Sequence, residues 1–93
     1  MTNIQMLIGS LSNDLFRIAS LKQRGSDAAA NRFLQEAKRW SVPLEKIAEK
    51  QYIKNIAKDV SQTTKSDLVI EKAETFLMYG TLLQNYALHN MSI

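Results

Sequence analysis

The feature that most constrains the fold of this chain is the absence of charge from its C-terminal end. Residues 75–93 contain no Asp, Glu, Lys or Arg, although charged residues recur throughout the preceding part of the chain. Residues 76–88 place apolar side chains at helical spacing, interrupted by the polar residues Thr81, Gln84 and Asn85. A transmembrane helix needs roughly 20 apolar residues, so no membrane span is predicted. The pattern instead predicts a helix that is buried on most of its circumference.

The length of the chain and its lack of cysteine restrict the architecture further. Its 93 residues suit a single helical domain over residues 1–93, with no disulfide and no thiolate metal site. The first residues lack the basic region and the continuous apolar core of a secretory signal, so a cytoplasmic location is expected. The net charge of +3 is explained by a solvated surface as well as by a nucleic-acid partner.

Glycine and proline are scarce, and apolar residues return mostly at helical spacing, which indicates an all-α fold. We predict a small bundle of four helices, at about 3–24, 27–41, 52–61 and 67–90. The first helix carries an apolar stripe with steps of four and three: Ile4, Ile8, Leu11, Leu15 and Ile18. Gly25 provides a C-terminal stop, and the short link after it predicts an antiparallel hairpin of helices one and two.

The boundaries of the second helix rest on its cap and on the single proline of the chain. Ser26 or Asp27 is expected to cap its N-terminus, because short polar side chains accept hydrogen bonds from the free amides there. Pro43 disfavours helical geometry at the residue before it and is expected to end the helix near residue 41.

The third and fourth helices are separated from their neighbours by a change of phase and by a polar segment. Apolar residues on either side of residue 50 centre on opposite sides of a continuous helix, so a break is predicted near Lys50 or Gln51. Residues 61–67 are polar and are predicted to form a loop. Within that loop, Ser66 or Asp67 is expected to cap the fourth helix.

The apolar side chains of the fourth helix spread over about 220° of its circumference, counted at roughly 100° per residue. Two explanations are open: the helix is central and touches the other three, or one flank meets a second copy of the chain. Gly80 also allows two explanations, since glycine costs about 1 kcal/mol relative to alanine in a helix interior. It lies either where another backbone comes close or at a tolerant surface position.

The residues that commonly carry catalysis are sparse in this chain. His89 is the only histidine, and the sequence contains no phosphate-binding loop, dinucleotide fingerprint or nucleophile elbow. Glu71, Glu74 and Asp14 form the only carboxylate group worth considering as a metal or acid-base cluster in a helical bundle. Solvated glutamates in the first turn of a helix explain Glu71 and Glu74 more simply. We therefore expect no enzymatic activity, no cofactor and no metal.

Basic residues on the first two helices suggest nucleic-acid binding as an alternative function. Arg17, Arg24, Arg32 and Arg39 could contact phosphates, and Trp40 could stack on a base. However, Trp40 also continues the apolar stripe of the second helix and is more simply a core residue.

The breadth of the fourth helix favours a non-catalytic protein that works by binding another protein or a second copy of itself. Met78, Tyr79, Leu82 and Tyr86 are the predicted partner-binding residues, because aromatic residues and methionine anchor many interfaces. Plain core packing is the competing explanation for the same four side chains.

Overall fold

The computed structural model describes residues 3–90, which fold into four α-helices. These are α1 (Asn3–Gln23), α2 (Asp27–Ile47), α3 (Gln51–Gln62) and α4 (Ile70–Asn90), with a 3-10 turn (Lys65–Asp67) before α4. The prediction of an all-α, four-helix bundle is confirmed. None of the helices in residues 3–90 combines the length and apolar character that crossing a membrane demands.

Two helices have two close neighbours each: α1 packs against α2 and α4, and α2 packs against α1 and α3. The predicted apolar stripe of α1 is confirmed. Its four members from residue 8 onward are fully buried, and Ile4 is half-buried against the same core. The explanation that placed α4 at the centre is therefore wrong, because the close packing of α4 is with α1 alone.

The hairpin between α1 and α2 closes at Gly25, whose φ of 77° lies in the left-handed region. The amide of Ser26 donates to the carbonyl of Leu21 at 2.9 Å, and the amide of Gly25 donates to Lys22 at 3.1 Å. These two bonds satisfy carbonyls at the end of α1 and turn the chain back along it, as predicted. Ser26 occupies the cap position of α2, but neither its side chain nor that of Asp27 makes the expected capping bond.

The prediction that Pro43 ends the second helix is wrong, because α2 continues through it to Ile47. Proline removes one amide donor and crowds the preceding turn, at a cost of about 3 kcal/mol. Packing on both sides of the proline offsets this cost, since Leu44 is fully buried and the Ser41 hydroxyl lies 2.7 Å from that of Ser61 on α3. The predicted break near residue 50 is confirmed by three non-helical residues, 48–50.

The connection from α3 to α4 is built by a cap that differs from the predicted one. The amide of Asp67 donates to the Thr64 hydroxyl, and the amide of Thr64 donates to the Asp67 carboxylate at 3.1 Å. These bonds hold the pKa of Asp67 below its usual value. Asp67 therefore takes part in the cap of the 3-10 turn, whose N-cap is Thr64, rather than capping α4, and α4 begins at Ile70, after buried Leu68, instead of at residue 67.

Candidate interaction surfaces

The inward side of α4 is fixed against α1 by close packing around Gly80. The Ser12 hydroxyl donates to the Gly80 carbonyl at 3.0 Å, and a Cβ at Gly80 would lie 3.0 Å from the ring of Phe16. Phe76 and Leu83 are fully buried on the same side of the helix. Gly80 is thus not a tolerant surface position. The close approach that we expected there is real, but an aromatic ring makes it rather than a backbone.

One flank of α4 is attached to α3 through a single carboxylate, that of Asp59. The Tyr79 hydroxyl donates to Asp59 at 2.6 Å, and Lys72 Nζ donates to both Asp59 oxygens at 2.8 and 2.9 Å. Burial, together with the bond to this carboxylate, raises the pKa of Tyr79 to about 12. Tyr79 also packs on Phe76 with its ring centre 6.1 Å away. The predicted partner residue Tyr79 is therefore engaged within the chain.

The second predicted tyrosine, Tyr86, lies farther along the same flank. Its ring meets the ring of Tyr52 on α3 edge to face, with the two centres 6.4 Å apart. The side chain is half-buried and packs against the hydrophobic core. Both predicted tyrosines thus hold α4 in place, and each presents only part of its surface to solvent.

The remaining predicted residues, Met78 and Leu82, lie on the side of α4 that faces away from α1, with Leu82 one turn from each tyrosine. This outer face of α4 consists of Leu77, Met78, Thr81, Leu82, Asn85 and Leu88, all exposed. Met78 is 54% exposed and Leu82 40%, and Leu77 and Leu88 are 42% and 60% exposed. Within one chain this helix is not buried on most of its circumference, because α1 and α3 cover only one side of it.

From residue 75 onward, the outer face of α4 differs from an ordinary solvated helix surface in its lack of charge, and the exposed Glu71 and Glu74 precede it on the same side of the helix. No Asp, Glu, Lys or Arg occurs from residue 75 onward. The hydroxyl of Thr81 donates to the Leu77 carbonyl at 3.1 Å, so this polar group is already partnered within the helix. The face therefore offers apolar area and few groups that would lose hydration on contact with another protein.

The four arginines of the alternative function follow the seam between α1 and α2, but they do not form one cluster. The Arg17 guanidinium lies over the Phe33 ring, 5.5 Å from its centre, and Arg17, Arg24 and Phe33 line one cavity of about 180 Å³. Arg32 lines a neighbouring cavity with Phe33. Arg39 lies over another ring, that of Trp40, at 5.7 Å.

Trp40 and Asp14 join α1 to α2 at the other end of this seam. Trp40 packs against the core, as the simpler explanation predicted, and its indole donates to the Asp14 carboxylate at 2.9 Å. Burial raises the pKa of Asp14 to about 6, opposed by the Trp40 bond and reinforced by neighbouring Glu36. A carboxyl group that changes charge near pH 6 is therefore built into the α1–α2 packing.

The carboxylate cluster considered from the sequence does not assemble. Asp14 faces α2, whereas Glu71 and Glu74 are exposed on α4. Among residues 3–90, no group of three or more His, Cys, Asp or Glu side chains is placed to hold a metal ion.

Asp59 is the contact residue to which the sequence analysis assigned no role. Its partners are 13 and 20 residues away along the chain, so local spacing does not reveal them. One sequence feature that could have identified Asp59 as a contact residue is that it is the sole acidic residue in the lysine-containing stretch 50–66. Another is that a half-buried tyrosine hydroxyl usually requires a partner.

Comparisons of the chain with protein-family models, with curated proteins and with solved structures gave no match. A function for this chain must therefore be inferred from its own exposed surfaces.

Proposed function

We propose that this protein is non-catalytic and acts by binding another protein through the outer face of α4, with a second copy of itself as the first partner. The observation that carries the proposal is that four large apolar side chains are exposed on a segment of α4, from residue 75 onward, that contains no Asp, Glu, Lys or Arg. The cores of protein interfaces are similarly depleted in charged residues and enriched in methionine. Met78 and Leu82 form the centre of the proposed contact.

A second copy suits this face because its apolar part, from residue 77 to residue 88, carries no charge that its own image would repel. In a two-fold symmetric dimer the same patch meets itself, so a charged side chain near the axis would face its like. Each chain carries a net charge of +3, and two copies repel each other least where neither presents a charge.

Folding of one chain leaves the outer face of α4 in water, so its apolar area contributes to stability only through association. Full burial of a leucine or methionine side chain stabilises by about 1.5 to 3 kcal/mol, and these are about half exposed, so each gains about 1 kcal/mol. Counted over both copies, the gain is comparable to the cost of bringing two chains together. We therefore expect a dimer that dissociates on dilution.

Light scattering on the purified protein tests the proposal. At about millimolar concentration the expected mass lies between one and two chains of 10.6 kDa, and it falls to one chain on dilution. Leu82→Glu places a charge at the centre of the face and is expected to give a single chain at every concentration. The matched control is Val42→Glu on α2, because Val42 is 45% exposed and Leu82 40%.

The outcome depends on comparing these two folded variants, whose helical circular dichroism should match that of the natural chain. A monomeric Leu82→Glu beside a dimeric Val42→Glu supports the outer face of α4 as the contact. A natural chain that stays monomeric up to millimolar concentration contradicts self-association. Equal dissociation of both variants contradicts the assignment of the contact to α4.

The proposal also includes a cytoplasmic location and the absence of catalysis. A chain without cysteine suits a reducing compartment. The lone histidine, His89, is exposed in the last turn of α4, and it makes no hydrogen bond to another described residue. Elemental analysis of purified protein is expected to find no stoichiometric metal, and a metal present at one ion per chain contradicts the non-catalytic proposal.

A further inference from the structure

The α1–α2 seam contains a small cavity that joins cationic and apolar groups. Arg17, Ser20 and Leu21 fall on one side of α1, and Arg24 follows in the turn at the end of that helix. Together with the half-buried ring of Phe33 on α2, they line a cavity of about 180 Å³. Its lining therefore consists of two guanidinium groups, one hydroxyl group and two apolar side chains.

Neither guanidinium group at this cavity is within ion-pair distance of a described carboxylate, although the charge of Arg17 favours the ionised form of Asp14. Among residues 3–90 the ion pairs are Lys22 with Asp27 and Lys72 with Asp59, and Arg17 and Arg24 take part in neither. Arg17 is held over the Phe33 ring at 5.5 Å, which restricts its position without occupying its hydrogen-bond donors. Donors that are placed in advance and unpaired bind a ligand at a lower entropic cost.

The carboxyl groups near the seam line a different cavity. Asp14 and Glu36 border a space of about 380 Å³ that shares Arg17 and Phe33 with the smaller cavity. The shared pair of Arg17 and Phe33 therefore lies between the two carboxyl groups and Arg24. An anion at the Arg24 end is kept apart from these negative charges by the guanidinium of Arg17.

We propose that the cavity formed by Arg17, Ser20, Leu21, Arg24 and Phe33 binds the phosphate group of a phosphorylated ligand. Two guanidinium groups match the geometry of phosphate oxygens, and a serine hydroxyl supplies a further donor. Leu21 and Phe33 contact the part of the ligand that carries the phosphate. The source of the phosphate is either a free phosphate ion or a nucleotide, alone or in a single strand.

Titrations of the full chain, followed by the shifts of its backbone amide NMR signals, test this inference. The probes are inorganic phosphate, adenosine monophosphate and a short single-stranded oligonucleotide, with acetate as a carboxylate of comparable size. Shifts confined to α1 and α2 around Ser20, Leu21 and Phe33 are expected with the phosphate probes. Nucleotide binding at least about fivefold tighter than inorganic phosphate assigns the source to a nucleotide, because stacking on an aromatic ring adds affinity. Equal binding assigns it to free phosphate.

A double variant separates this site from the general positive charge of the chain. Arg17→Gln with Arg24→Gln is expected to lower phosphate affinity at least about tenfold, since each arginine supplies charge-assisted hydrogen bonds. Lys50→Gln with Lys58→Gln removes the same charge from two exposed lysines that make no side-chain bond to other described residues. This control is expected to lose less than about twofold. For an oligonucleotide, the double variant should also reduce the salt slope of log affinity by roughly 1.4.

Three outcomes would overturn the inference. The first is the absence of localised shifts with every phosphate probe at tens of millimolar. The second is equal loss of affinity in the arginine and lysine double variants, and the third is acetate binding as tightly as phosphate. If the double variant fails to fold, Arg24→Gln alone replaces it, because Arg24 has no side-chain partner among residues 3–90, and a loss of about fivefold is expected.

Discussion

The outer face of α4 and the α1–α2 seam both depart from the ordinary distribution of residues between core and surface, and they do so in opposite directions. On α4, Leu77, Met78 and Leu82 are exposed to water. In the seam, the Asp14 carboxyl group is 5% exposed and has a raised pKa. One region leaves apolar side chains outside, and the other takes an ionisable group inside.

The two departures have different consequences for the folding equilibrium. An exposed leucine meets water in both the folded and the unfolded chain, so it hardly alters the stability of the monomer. A buried carboxyl group loses hydration on folding, so its ionisation opposes the folded state. The contribution of the outer face of α4 should therefore appear when protein concentration changes, and the contribution of the seam should appear when pH changes.

The largest expected effect compares two adjacent leucines on α4. Leu83 is fully buried and Leu82 is 40% exposed, so the same substitution probes the two sides of one helix. Leu83→Ala is expected to lower the free energy of unfolding by about 2 to 5 kcal/mol, through lost burial and a cavity. Leu82→Ala should change it by less than about 0.5 kcal/mol in dilute protein. Urea unfolding at low micromolar concentration measures both, and similar losses would contradict the assigned orientation of α4.

The next effect concerns pH and Asp14. Its pKa is about 6 in the folded chain against 3.8 for an ordinary Asp, so the folded state binds the proton more tightly. The resulting stabilisation is fully present below about pH 4 and is lost as pH rises through 6. Asp14→Asn removes this dependence and keeps an oxygen that can accept from Trp40.

Urea unfolding at several pH values measures this effect as a difference between two proteins. Between pH 4 and 7, the free energy of unfolding of Asp14→Asn is expected to rise by about 2 to 3 kcal/mol relative to that of the natural chain. Taking the difference removes the contributions of the carboxyl groups that both proteins share, apart from that of Glu36, which interacts directly with Asp14. A constant difference across this range would show that Asp14 titrates as an ordinary surface carboxyl group.

A smaller effect on stability is expected from alanine substitutions at two glycines in helix interiors, Gly9 and Gly80. A Cβ at Gly9 would meet no atom within 4 Å, whereas one at Gly80 would meet the Phe16 ring at 3.0 Å. Gly9→Ala is expected to stabilise by about 1 kcal/mol through helix propensity. Gly80→Ala should be less stable than Gly9→Ala by about 1 to 2 kcal/mol, because the ring must move. Thermal unfolding of both variants checks this, and equal gains would contradict the close α1–α4 packing.

The smallest effect tests whether Tyr79 serves the fold rather than the partner surface. Tyr79→Phe removes the 2.6 Å hydrogen bond to Asp59 and keeps the ring on Phe76. The expected loss is about 1 kcal/mol, because Lys72 still pairs with the carboxylate. Light scattering should give an unchanged mass. A variant of natural stability but lower mass would instead place the Tyr79 hydroxyl in the association contact.

Local patterns predicted the elements of this fold better than they predicted its exposed faces. The stripe of α1 and the turn at Gly25 follow from spacing and from a backbone conformation that glycine favours, so both were found. The passage of α2 through Pro43 depends on the burial of Leu44 and the contact between Ser41 and Ser61, which are tertiary. Local propensity alone could not reveal it.

The candidate surfaces were predicted only in part, for a related reason. An apolar arc on α4 identifies side chains that avoid water, but it does not say whether the same chain or another one covers them. The structure separates Met78 and Leu82 from Tyr79 and Tyr86, because the tyrosines meet Asp59 and Tyr52 on α3. These partners lie 20 and 34 residues away along the chain, beyond the reach of helical periodicity.

The most direct test of the proposed association is an isotope-filtered nuclear Overhauser experiment on a mixture of labelled and unlabelled chains. At high concentration, we predict intermolecular contacts from the Met78 methyl group to the methyl groups of Leu77 and Leu82. These contacts should disappear when the labelled chain carries Leu82→Glu and remain when it carries Val42→Glu. Intermolecular contacts confined to other helices, or none at millimolar concentration, would contradict the outer face of α4 as the surface through which this protein binds its own copy.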